Sequence, residues 1–199
     1  MLRLLPVAAL VACVPVLESP DDGDTSNNTD CPAWTAPENS WDTNTPPDCL
    51  SADGFESGDI APDMRMMDQH GNELSLWQFY GDVIVIDYST MWCAPCADLA
   101  EEVDHTWKDY VDEGFMYLTV LSQNELSQVP DLEELNKWAD DHAITAPVLQ
   151  DASGYTDTVI PPGGSFPQVM IVGRDMRILD VSIEPAEDPT IRAAVESAL

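Results

Sequence analysis

The stretch that decides the fold is Val83–Cys96, which reads VIVIDYSTMWCAPC. Its first four residues, Val83–Ile86, form an apolar run that is too short for a helix and typical of a strand buried on both faces of a sheet. After the second cysteine, the apolar residues take the spacing of one helix face: Leu99, Ala100, Val103, Trp107, Tyr110 and Val111. The sequence therefore predicts that Cys93 and Cys96 lie where a buried strand turns into a helix.

Cysteines at the start of a helix have a specific chemistry. Unpaired backbone N–H groups and the positive end of the helix dipole favour the thiolate, the species that attacks a disulfide. Cys93 is predicted to be the exposed nucleophile, and Cys96, one turn inside the helix, to resolve the mixed disulfide and release the product. Asp87 ends the apolar strand, so burial should raise its pKa and fit it to accept the proton that Cys96 loses.

The segment from Asp87 to Cys96 resembles the active-site stretch of thioredoxin-fold oxidoreductases. Residues 58–199 resemble the TlpA/ResA-like branch, whose members are membrane-tethered thioredoxins outside the cytoplasm. The opening Gly-x-x-Ala-Pro-x stretch of that branch is matched by Gly58–Asp63, and its Leu-x-x-Phe-x-Gly segment by Leu76–Gly81. The resemblance implies an α/β thioredoxin-like domain: a central mixed sheet flanked by helices, with an N-terminal hairpin and an inserted helix.

The same resemblance assigns substrate-binding residues. Thioredoxin-like proteins carry a cis-proline that precedes a strand and packs against the C-x-x-C pair, and Pro167 takes that place here. The missing N–H and fixed φ of a proline leave the backbone of Phe166 free to pair with an extended substrate. Trp92 and Pro95, which lie inside the motif, complete the predicted substrate-binding set.

Other patterns complete the predicted order of elements, which is strand–helix–strand–helix–strand–strand–helix after the hairpin. Asp131 is predicted to cap the inserted helix, and Asp188-Pro189 to start the last one. The predicted strands lie within residues 64–75 (a hairpin), 83–86, 115–121, 146–151 (a short strand before a mobile segment), 168–172 and 176–183.

Residues 1–12 predict a signal peptide, because a cationic start at Arg3 precedes an apolar core too short to span a bilayer. Leu10-Val-Ala-Cys13 resembles a bacterial lipobox, in which cleavage precedes a cysteine that is then lipid-modified. An ordinary cleaved signal with an incidental cysteine is the alternative. The predicted location is therefore the bacterial cell envelope, on the extracytoplasmic or periplasmic side, with a lipid anchor on Cys13.

Residues 13–57 are predicted to form a lipidated acidic tether. The stretch 14–58 has no Lys or Arg and is rich in Asp, Ser, Thr, Asn and Pro, a composition that cannot offset the entropy of ordering. Within it, Cys31 and Cys49 suggest a loop closed by a disulfide in an oxidising compartment. This disulfide is either structural or an accessory redox pair. A structural role is favoured because no nearby group would lower the pKa of either thiol.

The charge balance excludes some partners. Seven Lys and Arg against 37 Asp and Glu give a net charge of −30, which argues against nucleic acid or an anionic membrane surface. The methionines of Met64–Met67 could ligate copper, but their strand spacing favours core packing. His70, His105 and His142 are interpreted as surface residues. No metal and no cofactor are predicted.

The predicted function is a membrane-tethered enzyme that exchanges disulfides with envelope proteins through the WCAPC dithiol. The intervening Ala94-Pro95 contains no histidine to stabilise the Cys93 thiolate, which favours a reductant over a strong oxidant. A reductant outside the membrane needs a membrane electron donor. The resemblance implies apocytochrome c as one candidate substrate, because cytochrome c maturation is the usual role of this branch.

Two other functions stay open. Peroxiredoxins place a Thr three residues before the peroxidatic cysteine, as Thr90 precedes Cys93, but they also need a Pro before that Thr and an Arg from elsewhere. No proline occurs between Pro62 and Pro95. Copper-handling lipoproteins of this fold use C-x-x-x-C with a distant His, whereas the spacing here is one residue shorter.

Overall fold

The computed structural model describes residue 31 and residues 33–199. Two short 3-10 helices, Leu76–Phe79 and Val111–Glu113, accompany the regular elements. In chain order these elements are β1 (Arg65–Asp68), β2 (Glu73–Ser75), β3 (Val83–Thr90), α1 (Ala94–Tyr110), β4 (Phe115–Gln123), α2 (Leu132–Asp141), β5 (Val148–Gln150), α3 (Tyr155–Val159), β6 (Gln168–Val172), β7 (Ile178–Asp180) and α4 (Asp188–Ala198).

The strands form one mixed sheet in the order β2-β1-β5-β4-β3-β6-β7. The three neighbours β3, β4 and β5 are parallel, while the hairpin β1–β2 and the pair β6–β7 are antiparallel. All eight residues of β3 are buried, because β3 is central and both of its faces are covered. The predicted mixed sheet, hairpin and inserted helix α2 are all present.

Different layers cover the two faces of the sheet. One face packs against α1, α2 and α4, through residues such as Val103, Trp138 and Val195. The other face packs against the first 3-10 helix and part of the N-terminal segment, through residues such as Phe79 and Trp41. The helix that carries the C-x-x-C motif is therefore fixed on a rigid, buried sheet.

The segment that follows the short strand contains the helix α3, whose first N–H groups, those of Tyr155 and Thr156, donate to the Asp151 carboxylate at 2.9 and 2.7 Å. Two local predictions need correction. The last strand is shorter than the predicted 176–183, because Met176 lies in a turn with a φ of 65°. Met67 is 40% exposed and is not core, since neighbouring strand residues point to opposite faces.

Residues 33–57 lie against the domain, and most of them belong to the Cys31–Cys49 segment that the sequence predicts to be a disulfide-closed loop rather than extended tether. The indole N–H of Trp34 donates to Asp63 Oδ2 at 3.2 Å, and that of Trp41 donates to Asp68 Oδ2 at 2.7 Å. Both acceptors are in or next to the N-terminal hairpin. Two indoles hold this segment in place, because each combines apolar contact with a hydrogen bond.

The predicted signal peptide 1–12, Cys13 and the first part of the tether lie outside the described residues. Where the structure does describe the chain, a disulfide joins Cys31 to Cys49. No helix in that part is both long and apolar enough to cross a membrane.

Candidate active site

Cys93 and Cys96 are joined by a disulfide at the start of α1. Cys93 is the N-cap residue, and its Sγ accepts a hydrogen bond from the backbone N–H of Cys96 at 3.2 Å. Pro95 occupies the first turn, where the missing N–H of a proline removes no helical hydrogen bond. The first sulfur therefore lies against the unpaired N–H groups of the helix, the position that favours a thiolate once the disulfide is reduced.

The two cysteines differ less in exposure than the sequence predicts. Cys93 is 6% exposed and Cys96 is 0% exposed, so the predicted exposed nucleophile is largely buried in this oxidised form. The closed disulfide and the capping hydrogen bond both hold the Cys93 sulfur against the first turn of the helix. Trp92 is 46% exposed and Pro95 is also exposed. Trp92 and Pro95 therefore form the exposed surface beside the buried sulfur.

Two contacts hold the indole of Trp92. Its N–H donates to Gln123 Oε1 at 2.9 Å, and its ring meets Phe166 edge-on with the ring centroids 5.9 Å apart. Gln123 reaches this position because it pairs with Thr90 in the parallel register of β3 and β4. Trp92 and Phe166, two of the predicted substrate-binding residues, are therefore in contact, and the orientation of the Trp92 indole is fixed.

The peptide bond between Phe166 and Pro167 is cis. Pro167 directly precedes β6, which runs antiparallel to β3 with Gln168 opposite Tyr88. The start of β6 therefore lies at the carboxyl end of β3, beside the C-x-x-C motif. A groove of about 590 Å³ follows this junction and is lined by Pro95, Phe166 and Pro167. All four predicted substrate-binding residues consequently lie around the disulfide.

Asp87 is completely buried in the middle of the sheet. Its Oδ1 accepts a hydrogen bond from the Ser89 hydroxyl at 2.7 Å, while Oδ2 has no partner among the described residues. Desolvation raises the pKa of Asp87 to about 7, and the hydrogen bond from Ser89 opposes only part of that shift. A carboxyl group that titrates near neutral pH can both accept and release a proton, which is the property that the predicted role requires.

Ser89 and Gln123 are contacts of this site that the sequence analysis does not identify. Ser89 could have been found, since a residue two positions from Asp87 on the same strand points to the same side. Gln123 could not, because its place depends on the register between β3 and β4.

Other candidate groups lie apart from this site. Neither Cys31 nor Cys49 lines the groove beside the motif. His142 contacts Glu101 at 2.8 Å and packs on Trp138, with ring centroids 4.4 Å apart. Among the residues that the structure describes, no group of three or more His, Cys, Asp or Glu is arranged to hold a metal ion.

Comparison with known proteins identifies relatives of this chain. The thioredoxin-like protein YneN of Bacillus subtilis is 27% identical over 101 residues, which is 51% of this chain and 57% of YneN. The chain thus spans little more than half the length of that curated relative.

Solved structures with the same fold are more distant in sequence. The thioredoxin domain of a thiol-disulfide oxidoreductase from Bacteroides vulgatus has a TM-score of 0.59 and 19% identity, with 72% of this chain and 98% of that chain covered. A thiol:disulfide interchange protein of the thioredoxin family from Chlorobium tepidum has a TM-score of 0.60 and 16% identity, with 74% and 99% covered. These likenesses confirm the thioredoxin-like fold, whereas the TlpA/ResA-like branch stays a prediction.

A family model for the AhpC/TSA family matches residues 57–180, a range that contains the C-x-x-C motif, Asp87 and Pro167. Because this match spans more than half of the chain, the protein belongs to the AhpC/TSA family, as a member with a thioredoxin-like fold.

Proposed function

We propose that this protein is a thiol:disulfide oxidoreductase that acts on other proteins. The observation that carries the proposal is the Cys93–Cys96 disulfide at the N-terminus of α1, beside a groove that Phe166 and Pro167 line. Asp87 supplies a buried carboxyl group with a pKa of about 7 on the strand that leads to the motif. The names of the similar structures, an oxidoreductase and an interchange protein, agree with this function.

The proposed reaction begins with the reduced protein. The Cys93 thiolate attacks one sulfur of a substrate disulfide, that S–S bond breaks, and the departing substrate thiolate takes a proton from solvent. Asp87 then accepts the proton of the Cys96 thiol, and the Cys96 thiolate attacks Cys93 in the mixed disulfide. The Cys93–Cys96 disulfide closes and the second substrate thiolate leaves. Two electrons have then passed from the protein to its substrate.

Direction, partners and location belong to the same proposal. We place the protein as a reductant, supplied by a membrane electron donor, with disulfide-bearing envelope proteins as substrates and apocytochrome c as one of them. The signal-like residues 1–12 and the lipobox at Cys13 support an envelope lipoprotein. The Cys31–Cys49 disulfide fits an oxidising compartment, and we assign it a structural role because the segment between its cysteines docks on the hairpin.

Peroxide reduction is the second candidate, and the position of Thr90 three residues before Cys93 favours it. Thr90 is fully buried at the end of β3. The arginine that such a site needs is not supplied by the described residues, whose arginines are all engaged elsewhere: Arg65 with Glu73, Arg174 with Gly81, Arg177 with Gly58 and Arg192 with Asp109. The C-x-x-C spacing does not favour the copper-handling alternative.

One experiment separates the two candidates. The protein is reduced with dithiothreitol, freed from it, and mixed in parallel with insulin and with hydrogen peroxide. The proposal predicts that one protein molecule cleaves one insulin disulfide, because the dithiol holds two electrons, and that peroxide is consumed much more slowly. Rapid stoichiometric loss of peroxide without insulin cleavage would favour the second candidate and overturn the first.

A further inference from the structure

The groove beside the motif is strongly acidic. Its walls come from the first turns of α1, from the Ser165–Pro167 segment and from the residues that lead into α4. Among its lining residues there is no Lys, Arg or His, in the part of the chain that the structure describes. Five carboxylates line it: those of Asp98, Glu102, Glu184, Glu187 and Asp188.

Three of these carboxylates contact no Lys, Arg or His among the described residues. Asp188 pairs with Arg192 at 3.0 Å, and Glu102 lies 3.5 Å from His105. By contrast, Asp98, Glu184 and Glu187 form no ion pair with any described residue and are exposed in the groove. The negative charge of the groove is therefore largely uncompensated within the protein.

Apart from Ser165, the rest of the lining is apolar and adjoins the redox site. Leu99, Pro185, Ala186 and Pro189 contribute apolar surface, and Pro95 belongs to the C-x-x-C motif itself. The groove shares Pro95, Phe166 and Pro167 with the surroundings of the disulfide, so the residues that flank a substrate disulfide at Cys93 can lie in it. The groove is therefore positioned to contact the substrate residues that flank the disulfide reduced by the motif.

We propose that this groove selects protein substrates that carry Lys or Arg next to the reactive disulfide, an inference that rests on the proposed function. A cationic side chain in the groove gains attraction from Asp98, Glu184 and Glu187, while an anionic side chain in the same place is repelled by them. The long stems of Lys and Arg also pack on apolar walls while their charged ends reach carboxylates. The chemistry of the exchange is unchanged; only the rate of productive encounter depends on the flanking charge.

The test uses two synthetic peptides that differ only in the residues flanking one internal disulfide, two Lys in one peptide and two Glu in the other. The pre-reduced protein is mixed with each in a single turnover, and the second-order rate constant is measured. The basic peptide is expected to react about tenfold faster at low ionic strength, and the preference should shrink in 0.5 M NaCl as screening increases.

The groove variant Asp98→Asn/Glu184→Gln/Glu187→Gln is expected to lose most of that preference. Its matched control is Asp112→Asn/Glu133→Gln/Asp140→Asn, which removes the same number of exposed carboxylates outside the groove. The control should keep the preference of the unaltered protein. If the unaltered protein reduces both peptides equally, or if the two variants change the preference alike, the groove does not select charge. If neither peptide is reduced at all, the proposed function itself fails, and the inference with it.

Discussion

Cys93→Ser is expected to lower the rate of insulin-disulfide reduction by about a thousandfold or more, because it removes the nucleophile of the reaction. The hydroxyl of serine is not ionised near neutral pH and does not exchange with disulfides. Cys93 is also the residue whose sulfur the first turn of α1 holds by a hydrogen bond from the Cys96 N–H. The rate is measured with substoichiometric protein and dithiothreitol as the reductant.

Two further variants show whether that loss is specific. Cys96→Ser keeps the nucleophile and lacks the resolving thiol, so it should capture insulin chains as a mixed disulfide that Cys93→Ser never forms. Cys31→Ser/Cys49→Ser removes the other disulfide and is expected to keep the rate within a few-fold, because neither residue lines the groove beside the motif. Activity of Cys93→Ser within tenfold of the unaltered protein would contradict the assignment. An equal loss in the double variant would show that Cys31 and Cys49 take part in electron transfer.

Asp87→Asn is expected to raise the free energy of unfolding at pH 8 by roughly 4 kcal/mol, the cost of ionising a group whose pKa burial raises from 3.8 to about 7. Asparagine has nearly the same shape and carries no charge to desolvate. Its side-chain oxygen can still accept the hydrogen bond from Ser89, so the polar contact in the sheet is retained.

The pH window of this effect follows from the direction of the shift. Below pH 3.8 the Asp87 carboxyl group is protonated in both the native and the unfolded state, so its burial does not lower the stability through ionisation. Between pH 3.8 and about 7 the unfolded chain releases the proton while the native protein keeps it, so stability falls as pH rises. Above pH 7 both states are ionised and the full cost remains. The increase in the free energy of unfolding caused by Asp87→Asn should therefore be small at pH 4, grow up to about pH 7 and then level off.

Urea unfolding at pH 4, 6 and 8 measures this gain. The control is Asp140→Asn, which removes a carboxyl group exposed on α2 and should change stability little at any of these pH values. The same Asp87→Asn protein is expected to reduce insulin about a hundredfold more slowly, since Cys96 loses its proton acceptor. A stabilisation that is equal at pH 4 and pH 8, or no slowing of the reaction, would contradict the role given to Asp87.

The sequence predicts the fold of this domain well, because most of the signals for it lie in short stretches of the chain. The apolar run before the motif, the helical spacing after it, the cap at Asp131 and the helix start at Asp188-Pro189 are all short-range signals. The cis proline at 167 and the burial of Asp87 are also expected from the sequence, through the resemblance and through the strand pattern respectively. Apart from the cis proline, each of these features depends on residues near one another in the chain.

What the sequence does not predict depends on long-range contacts. The docking of residues 33–57 requires Trp34 and Trp41 to reach acceptors in or next to the hairpin, which composition cannot reveal. The small exposure of Cys93 arises from the closed disulfide and its capping hydrogen bond. The acidic groove forms only when the first turns of α1 meet the segment that leads into α4.

The most direct test is to time the alkylation of the two motif cysteines. The domain is reduced, exposed to iodoacetamide at pH 7 for increasing times, and analysed by peptide mass spectrometry. The helix N-terminus should stabilise the Cys93 sulfur as a thiolate, so Cys93 should react at least about tenfold faster than Cys96. Cys93 is therefore expected to be modified first, while Cys96 stays free. Equal rates for the two cysteines, or earlier modification of Cys96, would contradict the account.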